Sequence, residues 1–357
     1  AYPLSFIRSE RTTHCRASIR RANDRWLLAQ LYQITLIFAL APFGYLMSKN
    51  IQFIFNPSEL GAGTRGASLG PEAIRTAART KGSRLFSQFE IQKVDDLNDL
   101  LDAPTNFQFA KYIDGLSTVF ASLTDKILGC ISHEALPLLI SGDHSAAAGT
   151  LAALKKAYPD KRIGVVWIDA HADIHSPYTT PSGNIHGMPI AAALGLDHLH
   201  LAKNQLDTQT KSQWDALKSK AFLPQDLVYI GVRDTEPEED AVISELNLRN
   251  YTVSELRQKG LQTCLQEITQ KLAACDLLYV SFDVDSIDPE ETSFGTGTPV
   301  ANGLSFAEAD QILTYFAQDA KLCAVEIVEV NPCLDDEKNK MAEHALELIE
   351  HIISQLD

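Results

Sequence analysis

From residue 51 onward, short apolar runs alternate with stretches of helical periodicity. The runs are Ile51–Phe55, Leu136–Ile140, Ile163–Ile168, Leu227–Val232, Leu277–Phe282 and Ala324–Val330. They are nearly continuous in apolar residues and rich in β-branched ones, as strands buried on both faces must be. Between them the spacing predicts helices. One starts at Gly70-Pro71-Glu72-Ala73-Ile74-Arg75, with proline at its first position and an acid in its first turn. Others are expected near 145–157, 187–194, 254–273, 305–318 and 338–355. Such alternation predicts an α/β fold with a parallel sheet covered on both faces, and ligands beyond the carboxyl ends of its strands. No internal repeat, low-complexity tract or linker follows residue 50, so residues 47–357 read as one catalytic domain.

The first 46 residues do not share this pattern. Arg8, Arg11, Arg16, Arg20, Arg21 and Arg25 outnumber Glu10 and Asp24, giving the arm a charge of +4. The run from Trp26 to Ser48 is uncharged and rich in Leu, Ile and Phe, although Gln30, Gln33 and Pro42 interrupt it. Three readings stay open. The arm is a disordered or spurious extension before a start at Met47, a membrane-associated or targeting segment, or a docked helix.

Composition narrows the class of partner. The 357 residues are 45% hydrophobic and 22% charged, an ordinary globular balance with material for a sizeable core. A net charge of −15 argues against a nucleic-acid surface and favours metal ions and small cations. The cysteines at 15, 130, 264, 275, 323 and 333 form no CxxC pair, and read as reduced thiols in a cytoplasmic setting.

Three strands end in polar clusters. Val165-Val166-Trp167-Ile168 runs into Asp169-Ala170-His171-Ala172-Asp173, where continued extension would place Asp169, His171 and Asp173 on one face. Leu138-Leu139-Ile140-Ser141-Gly142-Asp143-His144-Ser145 ends the second strand. Tyr279-Val280-Ser281-Phe282-Asp283-Val284-Asp285 ends the third, with Asp283 and Asp285 again two apart. Pooled, His144, Asp169, His171, Asp173, Asp283 and Asp285 give two imidazoles and four carboxylates. Two divalent cations per subunit balance four carboxylates. An oxygen-rich set without thiolates suits Mn²⁺ better than a structural zinc, with Zn²⁺, Co²⁺ and Fe²⁺ left open. Two adjacent metals would hold a bridging hydroxide as a nucleophile toward an electrophilic carbon or phosphorus. Phosphate chemistry is disfavoured, because no P-loop spacing is present and few basic residues flank the ligand segments. Glu329, in Val328-Glu329-Val330-Asn331-Pro332, adds one more carboxylate at the end of the last strand. An acidic pocket of this kind calls for a cationic electrophile such as a guanidinium.

The segments Gly142-Asp143-His144-Ser145, Asp169-Ala170-His171-Ala172-Asp173, Ser281-Phe282-Asp283-Val284-Asp285 and Glu329-Val330-Asn331-Pro332 resemble, in order and spacing, the motifs of the ureohydrolases, the arginase and agmatinase family. Gly66-Ala67-Ser68-Leu69-Gly70-Pro71-Glu72-Ala73-Ile74-Arg75 is similar to that family's N-terminal motif. The resemblance covers about residues 51–332. It implies a three-layer α/β/α fold with a mostly parallel, eight-stranded sheet, a dinuclear manganese site, and a homotrimer or homohexamer. Ser182-Gly183-Asn184-Ile185-His186-Gly187-Met188-Pro189 and Thr296-Gly297-Thr298-Pro299-Val300 look more like arginases than agmatinases. The resemblance then implies that His186 shuttles a proton to the leaving amine, and that Asp173 is both ligand and catalytic group. It implies further that Glu329 faces the guanidinium with Thr298 nearby. Thr180, Ser182 and Asn184 would meet the substrate's α-carboxylate, and Glu236 its α-amino group.

Three positions depart from the arginase pattern. His175 stands where an asparagine is usual, and reads either as an altered carboxylate contact or as a solvent-facing histidine. Glu236 is one methylene longer than the usual aspartate, and Ser141 replaces a glycine. The expected reaction is hydrolysis of L-arginine to L-ornithine and urea. The rivals are another ureohydrolase, acting on agmatine, a guanidino acid or formimidoylglutamate, and a single-zinc deacetylase of related fold.

Overall fold

The computed structural model describes residues 50–356, so the readings of the first 46 residues lie outside the described part of the chain. Its strands are β1 (Ile51–Asn56), β2 (Glu90–Lys93), β3 (Leu136–Ser141), β4 (Ile163–Ile168), β5 (Leu227–Ile230), β6 (Arg249–Tyr251), β7 (Leu277–Asp283) and β8 (Leu322–Val328). They form one eight-stranded sheet in the order β2-β1-β3-β8-β7-β4-β5-β6, and every pairing is parallel. The last strand of the chain therefore sits at the centre, between β3 and β7.

The helices, in chain order, are α1 (Gly70–Lys81), α2 (Leu85–Gln88), α3 (Ile113–Ser132), α4 (Ala146–Ala157), α5 (Pro189–Leu194), α6 (Thr208–Leu217), α7 (Pro237–Glu245), α8 (Val253–Lys259), α9 (Leu261–Lys271), α10 (Phe306–Ala317) and α11 (Lys340–Ser354). Alternate strand residues feed two separate apolar layers. Phe53, Phe55, Ile140, Ile168, Phe282 and Ile327 pack under α1, α2 and α8 to α11. Ile54, Leu139, Trp167, Tyr229, Tyr279 and Ala324 pack under α3 to α7. This is the three-layer α/β/α architecture, with central strands buried along their whole length.

The six strands expected from apolar runs are present, with ends shifted by at most two residues. The two unforeseen strands are the sheet edges. β2 reads Glu-Ile-Gln-Lys and β6 reads Arg-Asn-Tyr, because a strand with one open edge and a partly solvated face needs no apolar run. The single helix expected over 254–273 is broken at Gly260, whose φ of 90° leaves the helical range, into α8 and α9. Among the described residues, no helix is long and apolar enough to cross a membrane.

Candidate metal centre and substrate cleft

Parallel pairing aligns the strand ends. Asn56 is level with Ser141, Ile140 with Ile327, Asp283 with Val328, and Ile168 with both Phe282 and Ile230. The loops leaving β3, β4, β7 and β8 therefore start in one row and carry the acidic clusters to one end of the sheet.

Convergence does not come from strand alternation. β4 stops at Ile168, and the following residues bend so that Asp169 and His171 serve neighbouring points. Asp173 reaches back through a left-handed turn, at φ 50°. Asp283 ends β7, while Asp285 lies in a short 3₁₀ turn capped by the Asp283 carboxylate, at 2.8 Å from the Asp285 amide. The same residues meet as expected, but irregular backbone brings them together.

Two donor clusters result. His144 Nδ1 lies 3.0 Å from Asp169 Oδ2, 3.2 Å from Asp173 Oδ2 and 3.2 Å from Asp283 Oδ2. His171 Nδ1 lies 3.0 Å from Asp285 Oδ2 and 3.5 Å from Asp169 Oδ1. Asp169 thus belongs to both, one oxygen facing each. His144 Nδ1 and Asp169 Oδ2 are buried, and neither makes a well-aligned hydrogen bond within the protein despite their proximity. Buried polar atoms without partners are costly. Donor separations near 3 Å are those around a cation bonded at about 2.1 Å. The donor set fits two divalent cations, with Asp169 common to both.

Surrounding residues fix these donors. His144 stacks flat on Trp167, with ring centroids 4.0 Å apart, and its Nε2 contacts Ser281 Oγ at 2.8 Å. That second contact commits Nδ1 to the cluster. Asp285 accepts from the Ala170 amide at 3.2 Å and from Thr298 Oγ1 at 3.0 Å, so Thr298 braces a carboxylate of the cluster. Beneath the cluster, the wholly buried Glu326 accepts from Ser141 Oγ and Tyr279 Oη, each at 2.6 Å. The serine that departs from the family pattern therefore has a partner.

The carboxylates of the cluster strain one another electrostatically. Burial, then the charge of Asp169, pushes the Asp173 carboxyl up to about 6. Burial and the Asp285 charge hold Asp283 well above the ordinary carboxylate range. Asp169 is driven the other way; against its burial, contacts with His144 and His171 lower it. Four buried carboxylates this close are a demand for positive charge.

A cleft of about 290 Å³ opens above the cluster. His144, His171, Asp173 and Asp283 form its floor, and His175, Thr180, Ser182, Asn184, His186, Glu236 and Thr298 are among its lining residues. Asp169, Asp285 and Glu329 lie just beneath. Glu329, at a left-handed φ of 66°, accepts from the His144 amide at 3.0 Å and meets His186 Nδ1 at 3.1 Å. Burial opposes the His186 proton, but the hydrogen bond and charge of Glu329 prevail and raise its pKa to about 9.

His175 is buried and does not face solvent. Its Nδ1 contacts Thr179 Oγ1 at 3.0 Å and its Nε2 contacts Glu236 Oε2 at 3.1 Å. Glu236 is the N-cap of α7, and its amide donates to Glu239 Oε2 at 3.2 Å. Glu239 holds its proton up to about 9, by burial and by contact with Glu236. Sequence reasoning gave no role to Glu239, Ser281 or Glu326. The last two carry a visible signal, a polar side chain inside an otherwise apolar strand.

The Arginase family model matches residues 49–354. Arginase from Bacillus subtilis (strain 168) is 35% identical over 319 residues, covering 87% of this chain and 99% of that protein. A crystal structure of Bacillus subtilis arginase superposes with a TM-score of 0.71 at 33% identity, over 85% of this chain and 98% of that one. The structure of Entamoeba histolytica arginase in complex with L-ornithine gives a TM-score of 0.74 at 28% identity, over 86% and 99%.

Proposed function

The chain belongs to the arginase family, a hydrolase of guanidino carbon–nitrogen bonds, and we propose that it converts L-arginine to L-ornithine and urea. The observation that carries the reading is Asp169, one carboxylate facing two imidazole-centred donor clusters at the floor of an acidic cleft.

His144, Asp173 and Asp283 would hold one divalent cation and His171 and Asp285 a second, with Asp169 shared. Manganese is our choice, for the hard oxygen-rich donor set. When bound, the pair supplies a water activated for attack near neutral pH. Glu329 receives the guanidinium through the carboxylate that His144 and His186 already orient. Asp173, on its left-handed turn at the cleft floor, accepts the proton that the attacking water releases. His186, kept protonated at neutral pH by Glu329, donates a proton to the departing amine. Thr180, Ser182 and Asn184 meet the α-carboxylate, and Glu236 meets the α-ammonium group. The Thr180 and Ser182 oxygens accept from the Gly183 and Asn184 amides, which leaves each hydroxyl proton to donate.

One observation favours a second substrate. His175 already engages Glu236, so the carboxylate meant for an α-ammonium group is partly claimed. A guanidino compound without that group, such as a guanidino acid or agmatine, would lose less here. Urea release from arginine, agmatine and guanidino acids, with the Mn²⁺-loaded protein, decides between them. Turnover of arginine above the others is expected; no turnover of arginine, with strong turnover of another compound, would sink the assignment. We further propose a cytoplasmic homotrimer or homohexamer; light scattering reads the assembly.

A further inference from the structure

We propose that Lys111 is a specificity-determining positioning residue, which sets Asn184 to receive a carboxylate and so selects guanidino compounds carrying one. The inference rests on the reading above and extends it to a residue outside every motif. Lys111 stands behind the cleft wall, not in it. Its Nζ donates to Asn184 Oδ1 at 3.0 Å, and its main-chain amide donates to Gly183 O at 2.8 Å. An ammonium group has donors only, so this contact decides which end of the Asn184 amide points which way. The oxygen is held against the lysine. The other end, Nδ2, lies on the side of Gly63 and His186. A Cβ on Gly63 would stand 2.7 Å from Asn184 Nδ2 and 4.0 Å from His186 Nε2, and His186 lines the cleft. Among the described residues Nδ2 donates to no protein group, so a donor is left for a ligand.

Charge points the same way. The cleft is crowded with carboxylates, and the protein carries −15 overall. An anionic end of a substrate would be repelled unless something local reverses the field. Among the described residues Lys111 has no carboxylate partner, unlike Lys203 or Lys218, whose charges are spent in ion pairs. Its charge therefore reaches the wall through the amide it holds, with the positive end of the Asn184 dipole turned to the cleft. The backing segment is also fixed. At Gly183, with φ 78°, an added Cβ would strike the main chain of Gln108, so the main chain beside Lys111 packs directly against the loop that carries Asn184.

The test compares two inhibitors that differ by one carboxylate, L-ornithine and putrescine, on the Mn²⁺-loaded protein and its Lys111→Met and Lys111→Arg variants. In Lys111→Met the Ki of ornithine should rise about tenfold, the scale of one hydrogen bond to a charged group. The putrescine Ki should stay within about twofold, and arginine KM should rise while kcat holds. Lys111→Arg should restore most of the loss. Equal weakening of both inhibitors would mean a merely structural role, and no weakening of ornithine would mean no role; either overturns the proposal. If Lys111→Met does not fold, Asn184→Asp carries the test. It keeps a partner for the lysine but removes the donor, and must weaken ornithine selectively. Urea release from arginine by the unaltered protein reports separately on the substrate assignment.

Discussion

His186 Nδ1 lies 3.1 Å from Glu329 Oε1, the oxygen that also accepts the His144 main-chain amide. One carboxylate oxygen thus ties the His186 side of the cleft to the segment that carries His144. His186→Asn should remove the proton donor and leave the floor intact. We expect kcat to fall by about 10² or more, the usual scale of general acid catalysis, with metal content unchanged. Steady-state kinetics beside metal analysis checks this, and a loss of metal in the variant would reassign His186 to the ligand shell.

Asp169 faces both clusters, whereas Asp285 faces only the His171 side. Asp169→Asn should therefore deplete both cations, and Asp285→Asn should leave about one per chain. Elemental analysis after dialysis against trace Mn²⁺ distinguishes them; equal retention in the two variants would contradict the shared-carboxylate reading.

Stripping the metals should make stability depend on pH in a defined window. The Asp173 carboxyl is raised from 3.8 to about 6 in the folded state, so the metal-free fold binds its proton more tightly than the unfolded chain does. That contribution is complete below 3.8 and lost as pH rises through about 6. His186, raised from 6.5 to about 9, adds a contribution that is complete below 6.5 and lost through about 9. Melting temperatures of chelated protein should fall across both windows, and metal-loaded protein should hold through the lower one. Parallel curves for the two forms would refute this account.

His175→Asn should free Glu236 for the substrate ammonium. Glu236 is half exposed, so the pair it loses is weak, and the arginine KM should fall only about threefold. A higher KM with unchanged agmatine turnover would instead make His175 itself a substrate contact.

Glu326 accepts from Ser141 and Tyr279 inside the sheet. Glu326→Ala would strand both hydroxyls and open a cavity, at a cost of about 3 kcal/mol or more. Chemical denaturation measures it; a change under about 1 kcal/mol would mean that the network relaxes.

Much of this molecule is legible in its sequence because burial writes long apolar runs. The central strands and the acidic clusters at their ends announce themselves for that reason. β2 and β6 do not, since an edge strand spends half its surface on water. Nor do α3, α6 and α7 emerge from periodicity alone. The residues of the two donor clusters are visible as residue types, but their geometry is not. Left-handed turns at Asp173 and Glu329 aim the side chains; aspartate tolerates that region better than most residues, but residue type alone does not say which position adopts it, and glutamate gives no sign of it. Lys111 was invisible for a simpler reason. It lies far from Asn184 in sequence, and only the fold brings them together.

The position of β8 has a consequence for how the protein is made. His144 leaves β3 while Asp169 and Asp283 leave β4 and β7, and β8 is the strand that joins those two halves of the sheet. On a ribosome, the nascent chain can pair β1 with β3, and β4 with β5 and β7, before β8 has emerged. The two ligand sets cannot meet until that strand slides between them. Asp169, His171 and Asp285 all lie in the β4–β7 half, so only the His144 cluster has to wait for β8, and a chain released before residue 322 would hold two half-sheets with no centre to join them.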